Sequence, residues 1–145
     1  MQSTMTDRHD TVIVGGGQAG LAMSYYLRES GREHVILERS RVGERWRSER
    51  WASLCFQFPN SSLSLPGVAY RGSAPDAFAH HTEIARFVDD YAALIEAPVR
   101  CGVTVRAVER NQRSGRYRIA TGTERSKLSA SFSRPVRFSG PGSRT

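Results

Sequence analysis

Three glycines near the start of the chain have the spacing of a phosphate-binding turn. A β-branched run over residues 11–14 leads into Gly15, Gly17 and Gly20, which form the pattern Gly-x-Gly-x-x-Gly. The first glycine would let the chain turn tightly off a strand, the second would let the backbone approach a pyrophosphate, and the third would let a helix pack close to the sheet. The free N–H groups and the positive dipole end of that helix would then face phosphate oxygens.

A carboxylate follows where a ribose-binding acid is expected. The apolar run 34–37 ends in Glu38, and its distance from the glycine motif is close to the roughly 20 residues typical of such an acid. A carboxylate at this point accepts hydrogen bonds from ribose hydroxyls and would repel a 2′-phosphate. The sequence therefore predicts FAD or NAD rather than NADP at this site. A glycine-rich turn in another kind of α/β protein is the alternative.

A βαβ unit must position these residues. The pattern predicts a strand over 11–14, a helix from about residue 17 to residue 30, and a strand over 34–38. Leu21, Tyr25 and Leu27 would lie on the inner side of the helix, and the small Ser24 would lie where helix and sheet come close. Gly31 stands where a C-terminal cap is expected.

The stretch over 39–80 shows no helical or strand period and is predicted to be a long loop. It contains Trp46 and Trp51, and aromatic residues argue against disorder. We interpret it as a loop that covers a ligand. The alternative is that the two tryptophans only hold the loop against the core.

Beyond the loop, the periodicity predicts a helix with Thr82 as N-cap and Pro98 just beyond its end. Its core-facing residues would be Ile84, Phe87, Val88, Tyr91, Leu94 and Ile95. Strands are predicted over 99–101, 103–109 and 116–121, the last two forming a hairpin. The predicted fold class is α/β, a partial Rossmann-like FAD/NAD(P)-binding domain made of a βαβ unit, a long loop, a helix and a β-hairpin. The predicted organisation is a disordered N-terminus over 1–9, this domain over 10–121, and a Ser/Arg/Gly/Pro-rich disordered tail over 122–145.

Composition excludes several classes of function. The net charge of +7 belongs largely to the basic tail, so we expect no nucleic-acid binding. Cys55 and Cys101 lack the spacing of metal ligands, and both are expected to be buried. His80 and His81 are interpreted as residues leading into a helix, so no metal site is predicted. With no signal peptide and no run of about 18 apolar residues, we expect a cytoplasmic protein that does not bind a membrane.

Four segments together resemble the N-terminal part of flavin-containing monooxygenases, above all the bacterial and YUCCA-like class B enzymes. They are residues 12–20 with Glu38, residues 43–47 with their Trp-Arg pair, residues 56–59, and residues 63–67 with Leu-Pro-Gly. Many flavoproteins share the glycine motif, whereas the spacing of the Trp-Arg and Leu-Pro-Gly segments narrows the resemblance. The likeness covers about residues 10–120.

The resemblance implies FAD as cofactor, NADPH as reductant and a small-molecule substrate. In that family the glycine motif holds FAD, the acid binds the adenosine ribose, the Trp-Arg segment packs beside the flavin end, and Leu-Pro-Gly closes the same side. Members reduce FAD with NADPH and insert one atom of dioxygen into a substrate, so the cofactor carries the chemistry and no catalytic residue is assigned. The cofactor-binding residues implied here are Gly15, Gly17, Gln18, Ala19, Gly20, Glu38, Arg39 and Trp46.

The chain departs from that family in two respects. It contains no second glycine motif for NADPH, and residues 122–145 lack the apolar strand and the Ala-Thr-Gly that follow the hairpin in the family. The hypothesis is a truncated FAD-binding portion of an NADPH-dependent flavoprotein monooxygenase or oxidoreductase that is not competent alone. One alternative is a non-catalytic FAD- or NAD-binding module that acts with a partner chain. Another is a small NAD-dependent reductase, for which no catalytic Tyr/Lys pair is evident.

Overall fold

The computed structural model describes residues 7–122 and 129–133. The strands are β1 (Thr11–Val14), β2 (His34–Glu38), β3 (Ser64–Leu65), β4 (Val68–Ala69), β5 (Val99–Cys101), β6 (Thr104–Arg110), β7 (Arg116–Gly122) and β8 (Ser129–Ser133). The helices are α1 (Gln18–Glu29), α2 (Glu44–Ser48) and α3 (His81–Leu94), and a short 3-10 turn covers Asn60–Ser62. The predicted fold class, a partial Rossmann-like α/β domain, is confirmed.

The central sheet is parallel, with strand order β1-β2-β5. Val12 lies opposite Val35 and Ile36 opposite Val99, so the strands run in the same direction and their carboxyl ends meet at one edge. Parallel strands need crossover connections, and α1 supplies the one between β1 and β2. The edge where β1 and β2 end is the position at which α/β sheets bind ligands.

Strand β2 is buried on both faces, which explains its unbroken apolar sequence. On one face Ile36 packs in a core cluster with residues of α1 and α3, among them Leu21 and Val88. On the other face Val35 and Leu37 pack with Val103 and Ile119 in a second cluster. A separate antiparallel sheet, β6-β7-β8, lies beside this second cluster. The long helices α1 and α3 and the C-terminal hairpin thus pack on opposite faces of the same strand, β2.

The prediction of Thr82 as N-cap is wrong: His80 is the N-cap of helix α3, which therefore starts two residues earlier than expected. The Glu83 carboxylate accepts a hydrogen bond from the His80 backbone N–H at 2.8 Å, and His80 Nδ1 accepts one from the Thr82 N–H at 3.4 Å. The core-facing side is confirmed for Ile84, Val88, Tyr91 and Ile95. It is wrong for Leu94, the last residue of α3, which is 65% exposed, and Phe87 is only partly buried.

Residues 129–133 form a strand, although a disordered tail was expected over 122–145. Ser129–Ser133 pairs antiparallel with β7, with Ser133 opposite Arg116. The absence of β-branched residues misled the prediction, since an edge strand can be held by backbone hydrogen bonds alone. Residues 123–128 and 134–145 lie outside the described residues, as do residues 1–6. Near the N-terminus, Asp7 forms an ion pair with Arg100, which the expected disorder over 1–9 did not anticipate.

Two further expectations concern exposed positions. Cys55 and Cys101 are both exposed rather than buried; one lies in an isolated bridge at the surface, and the other ends the edge strand β5. Within the described part of the chain, no helix combines the length and the apolarity that crossing a membrane requires.

Candidate functional site

A cavity of about 670 Å³ opens at the carboxyl ends of β1 and β2. One wall is the turn between β1 and α1, the floor includes Leu37 and residues 103–105, and the opposite wall is α2 with its flanking residues. All eight residues implied to bind a cofactor lie on its surface: Gly15, Gly17, Gln18, Ala19, Gly20, Glu38, Arg39 and Trp46. The structure therefore brings together residues that are far apart in sequence, and their contact with a cofactor stays a prediction.

The glycine turn is held by contacts that exclude side chains. Gly15 has φ +104°, a backbone conformation that favours glycine, and its N–H donates to the Leu37 carbonyl at 2.8 Å. A Cβ at Gly20 would overlap the carbonyl oxygen of Gly15. At Gly17 nothing lies within 4 Å of a Cβ position. The first and third glycines are thus required by the protein itself, and the second leaves space that a ligand can occupy.

The first turn of α1 offers free hydrogen-bond donors to the cavity. Gly17 is the N-cap, no side chain caps the helix, and no acidic residue lies in its first turn. The first N–H groups of any helix have no acceptor within the helix, and Gln18 and Ala19 line the cavity. Together with the helix dipole, this arrangement favours an anion such as a phosphate group.

Glu38 is held beside this turn by backbone donors. Its Oε2 accepts from the Gly16 N–H at 2.7 Å, and its Oε1 accepts from the Ser40 N–H at 2.8 Å. Each carboxylate oxygen can accept a further hydrogen bond, so ribose hydroxyls could bind without displacing either contact. A Cβ at Gly16 would lie 3.2 Å from the Glu38 Cβ. The acid and the glycine turn therefore form one rigid unit.

The wall formed by α2 carries charges that are mostly paired. Glu49 accepts from Arg39 at 3.1 Å and pairs with Arg45 at 3.2 Å. Glu44, which lines the cavity, is paired with Arg41 at 2.7 Å. That guanidinium hydrogen bond, with lesser help from Ser48, lowers the pKa of the Glu44 carboxyl to about 2.

The same wall carries an arginine that has no ion pair among the described residues. Arg50 places its guanidinium 4.8 Å from the centre of the Trp46 ring. Because Glu44 and Glu49 are already paired with other arginines, the charge of Arg50 leaves this wall with a net positive charge. Such a wall suits an anionic ligand.

The tryptophans of the long segment have different positions. Trp46 lines the cavity and also packs on the core, with its ring edge-to-face on Phe56 at 6.3 Å. Trp51 is 64% exposed and is not part of the cavity surface. Trp46 thus holds the segment against the core, as the alternative predicts, and it also lines the cavity. That the segment covers a ligand stays a prediction. The prediction that Trp51 holds the segment against the core is wrong, since its side chain is exposed.

The Leu-Pro-Gly segment does not line the cavity. Its residues form the turn between β3 and β4, which packs on the two long helices. The Tyr91 hydroxyl donates to the Pro66 carbonyl at 2.8 Å, and burial raises the pKa of Tyr91 to about 12. A Cβ at Gly67 would lie 2.8 Å from the Tyr25 ring. In this chain the segment joins α1 to α3.

Sequence reasoning did not single out the floor of the cavity. Val103, Thr104 and Val105 line it, at the start of β6. Their pattern predicts a strand and nothing more, since no residue type there is typical of a binding site. The 103–105 backbone reaches the cavity because the Val103 N–H donates to the Glu38 carbonyl at 2.9 Å. Within the described residues, no group of three or more metal-ligating side chains is found.

These features fit a dinucleotide such as FAD. The backbone of Gly20 approaches that of Gly15 so closely that a Cβ at Gly20 would overlap it. Helix N–H groups without a side-chain cap face the cavity, and the Glu38 carboxylate, which can accept further hydrogen bonds, lies next to them. The helix N–H groups would bind the phosphates, the carboxylate would bind the ribose, and the cavity walls would enclose a planar ring system.

Comparison with known proteins agrees with this geometry. The profile of the pyridine nucleotide-disulphide oxidoreductase family matches residues 12–132. The chain belongs to this family. Its match includes the glycine motif, α3 and most of β8, so the family likeness extends past residue 121.

The chain also resembles individual proteins in sequence. It is 35% identical over 102 residues to an uncharacterised CzcO-like oxidoreductase of Geobacillus kaustophilus, an alignment that covers 70% of this chain and 29% of the relative. It is 27% identical over 111 residues to an indole-3-pyruvate monooxygenase of Arabidopsis thaliana, YUCCA6, with 76% of this chain and 26% of the relative covered.

A solved structure, a flavin-containing monooxygenase from Stenotrophomonas maltophilia, superposes with a TM-score of 0.74 at 28% identity, covering 88% of this chain and 37% of that one. The resemblance to the N-terminal FAD-binding part of a flavin monooxygenase-like protein is confirmed. The chain spans less than two fifths of the length of each of these three proteins.

Proposed function

We propose that this chain binds FAD and is the FAD-binding portion of an NADPH-dependent flavoprotein monooxygenase or oxidoreductase. The observation that carries the proposal is the cavity in which the glycine turn, the uncapped end of α1 and Glu38 converge. The family membership and the flavin-containing monooxygenase likeness support flavin as the ligand.

In this proposal the residues of the chain bind and orient the cofactor. The N–H groups at the start of α1 hold the pyrophosphate, and Glu38 accepts hydrogen bonds from the adenosine ribose. Trp46 and residues 103–105, at and just before the start of β6, enclose the ligand and exclude water. FAD, when bound, supplies the redox chemistry.

We further propose that the chain does not turn over substrate alone. The sequence contains a single Gly-x-Gly-x-x-Gly motif, so the second dinucleotide, NADPH, has no counterpart site of this type here. The small-molecule substrate would bind with residues beyond those of this chain, and a cytoplasmic location, with no role in nucleic-acid or membrane binding, belongs to the same proposal.

The test is a visible absorption spectrum of the purified chain after incubation with FAD and removal of the excess. A retained flavin band near one per chain is expected. A matched control is Gly17→Leu, which fills the open space beside the turn and should remain folded but colourless. A folded wild-type chain that retains no flavin would overturn the proposal.

A second candidate is a non-catalytic FAD- or NAD-binding module that acts with a partner chain. The observation that favours it is that a full set of dinucleotide-binding features lies on the described residues of this chain alone. Tight FAD binding without NADPH oxidation in any mixture with candidate partners would support the module. NADPH oxidation that appears only when a second chain is added would support the enzyme portion.

A further inference from the structure

Helix α2 is too short to hold its own position beside the cavity. It covers five residues, Glu44–Ser48, and none of them is buried. Isolated helices of this length are not stable in water. Contacts to other elements must therefore fix it, and with it the Trp46 side chain that lines the cavity.

One contact joins α2 to the glycine turn. The Gly43 N–H donates to the Gly16 carbonyl at 3.2 Å. Gly43 has φ +66° and lies against α3, where a Cβ would be 3.3 Å from the Val88 Cγ1. The start of α2 is thus set by backbone geometry.

The rest of α2 is fixed by two polar contacts to α3. The His81 Nδ1–H donates to the Trp46 carbonyl at 2.7 Å, and His81 is 7% exposed. Arg47 forms an ion pair with Asp89, and the Arg47 side chain is only 25% exposed. The Arg47 Nε is buried without a hydrogen-bond partner within the described residues. Asp89 is therefore the group that compensates the partly buried charge of Arg47.

Neither Arg47 nor Asp89 lines the cavity. Their effect on a ligand must pass through Trp46, which precedes Arg47 in α2 and is held on one side by Phe56 and on another by Arg50. An aromatic wall contributes more to affinity when its geometry is fixed before the ligand arrives, because less ordering is then needed on binding.

We propose that Asp89 is a positioning residue of the cofactor site: through its ion pair with Arg47 it holds α2 against α3 so that the Trp46 ring lies on the cavity wall. This inference rests on the proposed FAD binding for its functional readout. Its structural readout, the protection of Trp46 from solvent, does not depend on FAD.

The experiment uses the full chain with Trp51→Phe as background. The chain has two tryptophans, and Trp51 is exposed and outside the cavity, so in this background the fluorescence reports Trp46 alone. Asp89→Asn removes the charge at nearly constant shape. Asp90→Asn is the matched control, because it is the same substitution one residue further along α3. Asp90 is exposed and has no ion pair in the described part of the chain. Asp89→Glu restores the charge.

Two quantities are measured at a temperature where circular dichroism shows each variant folded. The first is acrylamide quenching of Trp46 without FAD, which should rise in Asp89→Asn and stay at the background value in Asp90→Asn. The second is the FAD dissociation constant, which should rise about two- to fivefold in Asp89→Asn, the size expected of a partly exposed ion pair, and recover in Asp89→Glu. If Asp89→Asn does not fold, Arg47→Lys, which keeps the charge but loses the planar donor set, serves in its place.

The outcomes separate the two proposals. Equal quenching and equal FAD affinity in Asp89→Asn and Asp90→Asn would overturn the positioning role while leaving FAD binding intact. No FAD binding by the folded background chain would overturn the proposed function, and a rise in quenching would still support the role of Asp89 in placing Trp46. A change in stability alone, with quenching and affinity unchanged, would mean that the ion pair only stabilises the fold.

Discussion

The two walls of the cavity are built on different principles. The wall formed by the glycine turn is fixed by backbone contact: Gly15 and Gly20 meet so closely that no side chain fits between them. The wall formed by α2 is fixed by side chains that come from a distant helix, through Asp89 and His81. The first wall depends on glycines that lack a side chain, and the second depends on specific side-chain contacts between α2 and α3.

This difference predicts how each wall responds to change. A wall made by backbone contact should fail completely when one atom is added, and it should be insensitive to salt and pH. A wall made by partly exposed ion pairs should weaken gradually, since such pairs contribute little individually and are screened by solvent. The following changes test the contrast, from the largest expected effect to the smallest.

Gly20→Ala should give the largest effect. The added Cβ would overlap the Gly15 carbonyl oxygen, so α1 must move away from β1. We expect a loss of about 3 kcal/mol or more in the free energy of unfolding, measured by urea denaturation followed by circular dichroism. Gly31→Ala, at a position where a Cβ meets nothing within 4 Å but where φ is +63°, controls for the loss of a glycine without a backbone overlap. Equal stability of Gly20→Ala and wild type would show that the turn can relax.

Gly17→Ala should separate binding from folding. Nothing lies within 4 Å of the added Cβ, so the free energy of unfolding should change by no more than about 1 kcal/mol, the size of an N-cap effect. Because the methyl group enters the space left for a pyrophosphate, FAD affinity should fall by about tenfold or more. Isothermal titration with FAD, next to a denaturation curve, checks both halves of this expectation. A variant that binds FAD as wild type does would place the phosphates elsewhere.

Glu38→Gln should have an intermediate effect on both properties. The amide keeps one oxygen for the Gly16 or the Ser40 N–H but turns an NH₂ group toward the other. Leaving a partly buried N–H without its acceptor costs about 1–3 kcal/mol, and the ribose loses an acceptor in the same change. Competition of adenosine diphosphate against FAD in wild type and variant should show the loss in the adenosine half. Unchanged affinity with lowered stability would restrict Glu38 to a structural role.

Acidification should loosen the α2 wall through Glu44, and this should be the smallest effect of the series. The Arg41 guanidinium lowers the folded pKa of Glu44 from 4.5 to about 2. The pair therefore contributes its full stabilisation above pH 4.5, and this contribution is lost as the pH falls toward 2. Trp46 fluorescence in the Trp51→Phe background should report the change below pH 4.5. In Arg41→Gln the same part of the profile should be flatter, and an identical profile would mean that other carboxylates govern the acid response.

The contrast between the walls also explains what the sequence could predict. The glycine turn, Glu38 and the three parallel strands follow from local residue types, because steric exclusion and apolar runs are readable without knowing the fold. The pairing of Arg47 with Asp89 is not readable, since 42 residues separate the partners and many other charges along the chain would be equally plausible partners.

Two other differences have local causes. His80 as a cap was missed because histidine is not among the residues that usually accept at an N-cap; its role depends on the reciprocal contact from Glu83. Strand β8 was missed because its serines carry no strand signal, whereas β7 offers it a free edge to pair with. In both cases a neighbour, rather than the residue itself, determines the structure.

The double burial of β2 has a consequence for how the molecule opens. Ile36 belongs to the cluster with α1 and α3, and Val35 and Leu37 belong to the cluster with β6 and β7. Neither layer can separate from the other without exposing this strand, so the two layers should lose their structure in one cooperative event. The backbone amides of β2 should then exchange with deuterium at the rate of global unfolding, and the floor of the cavity should be the last part of the binding site to open.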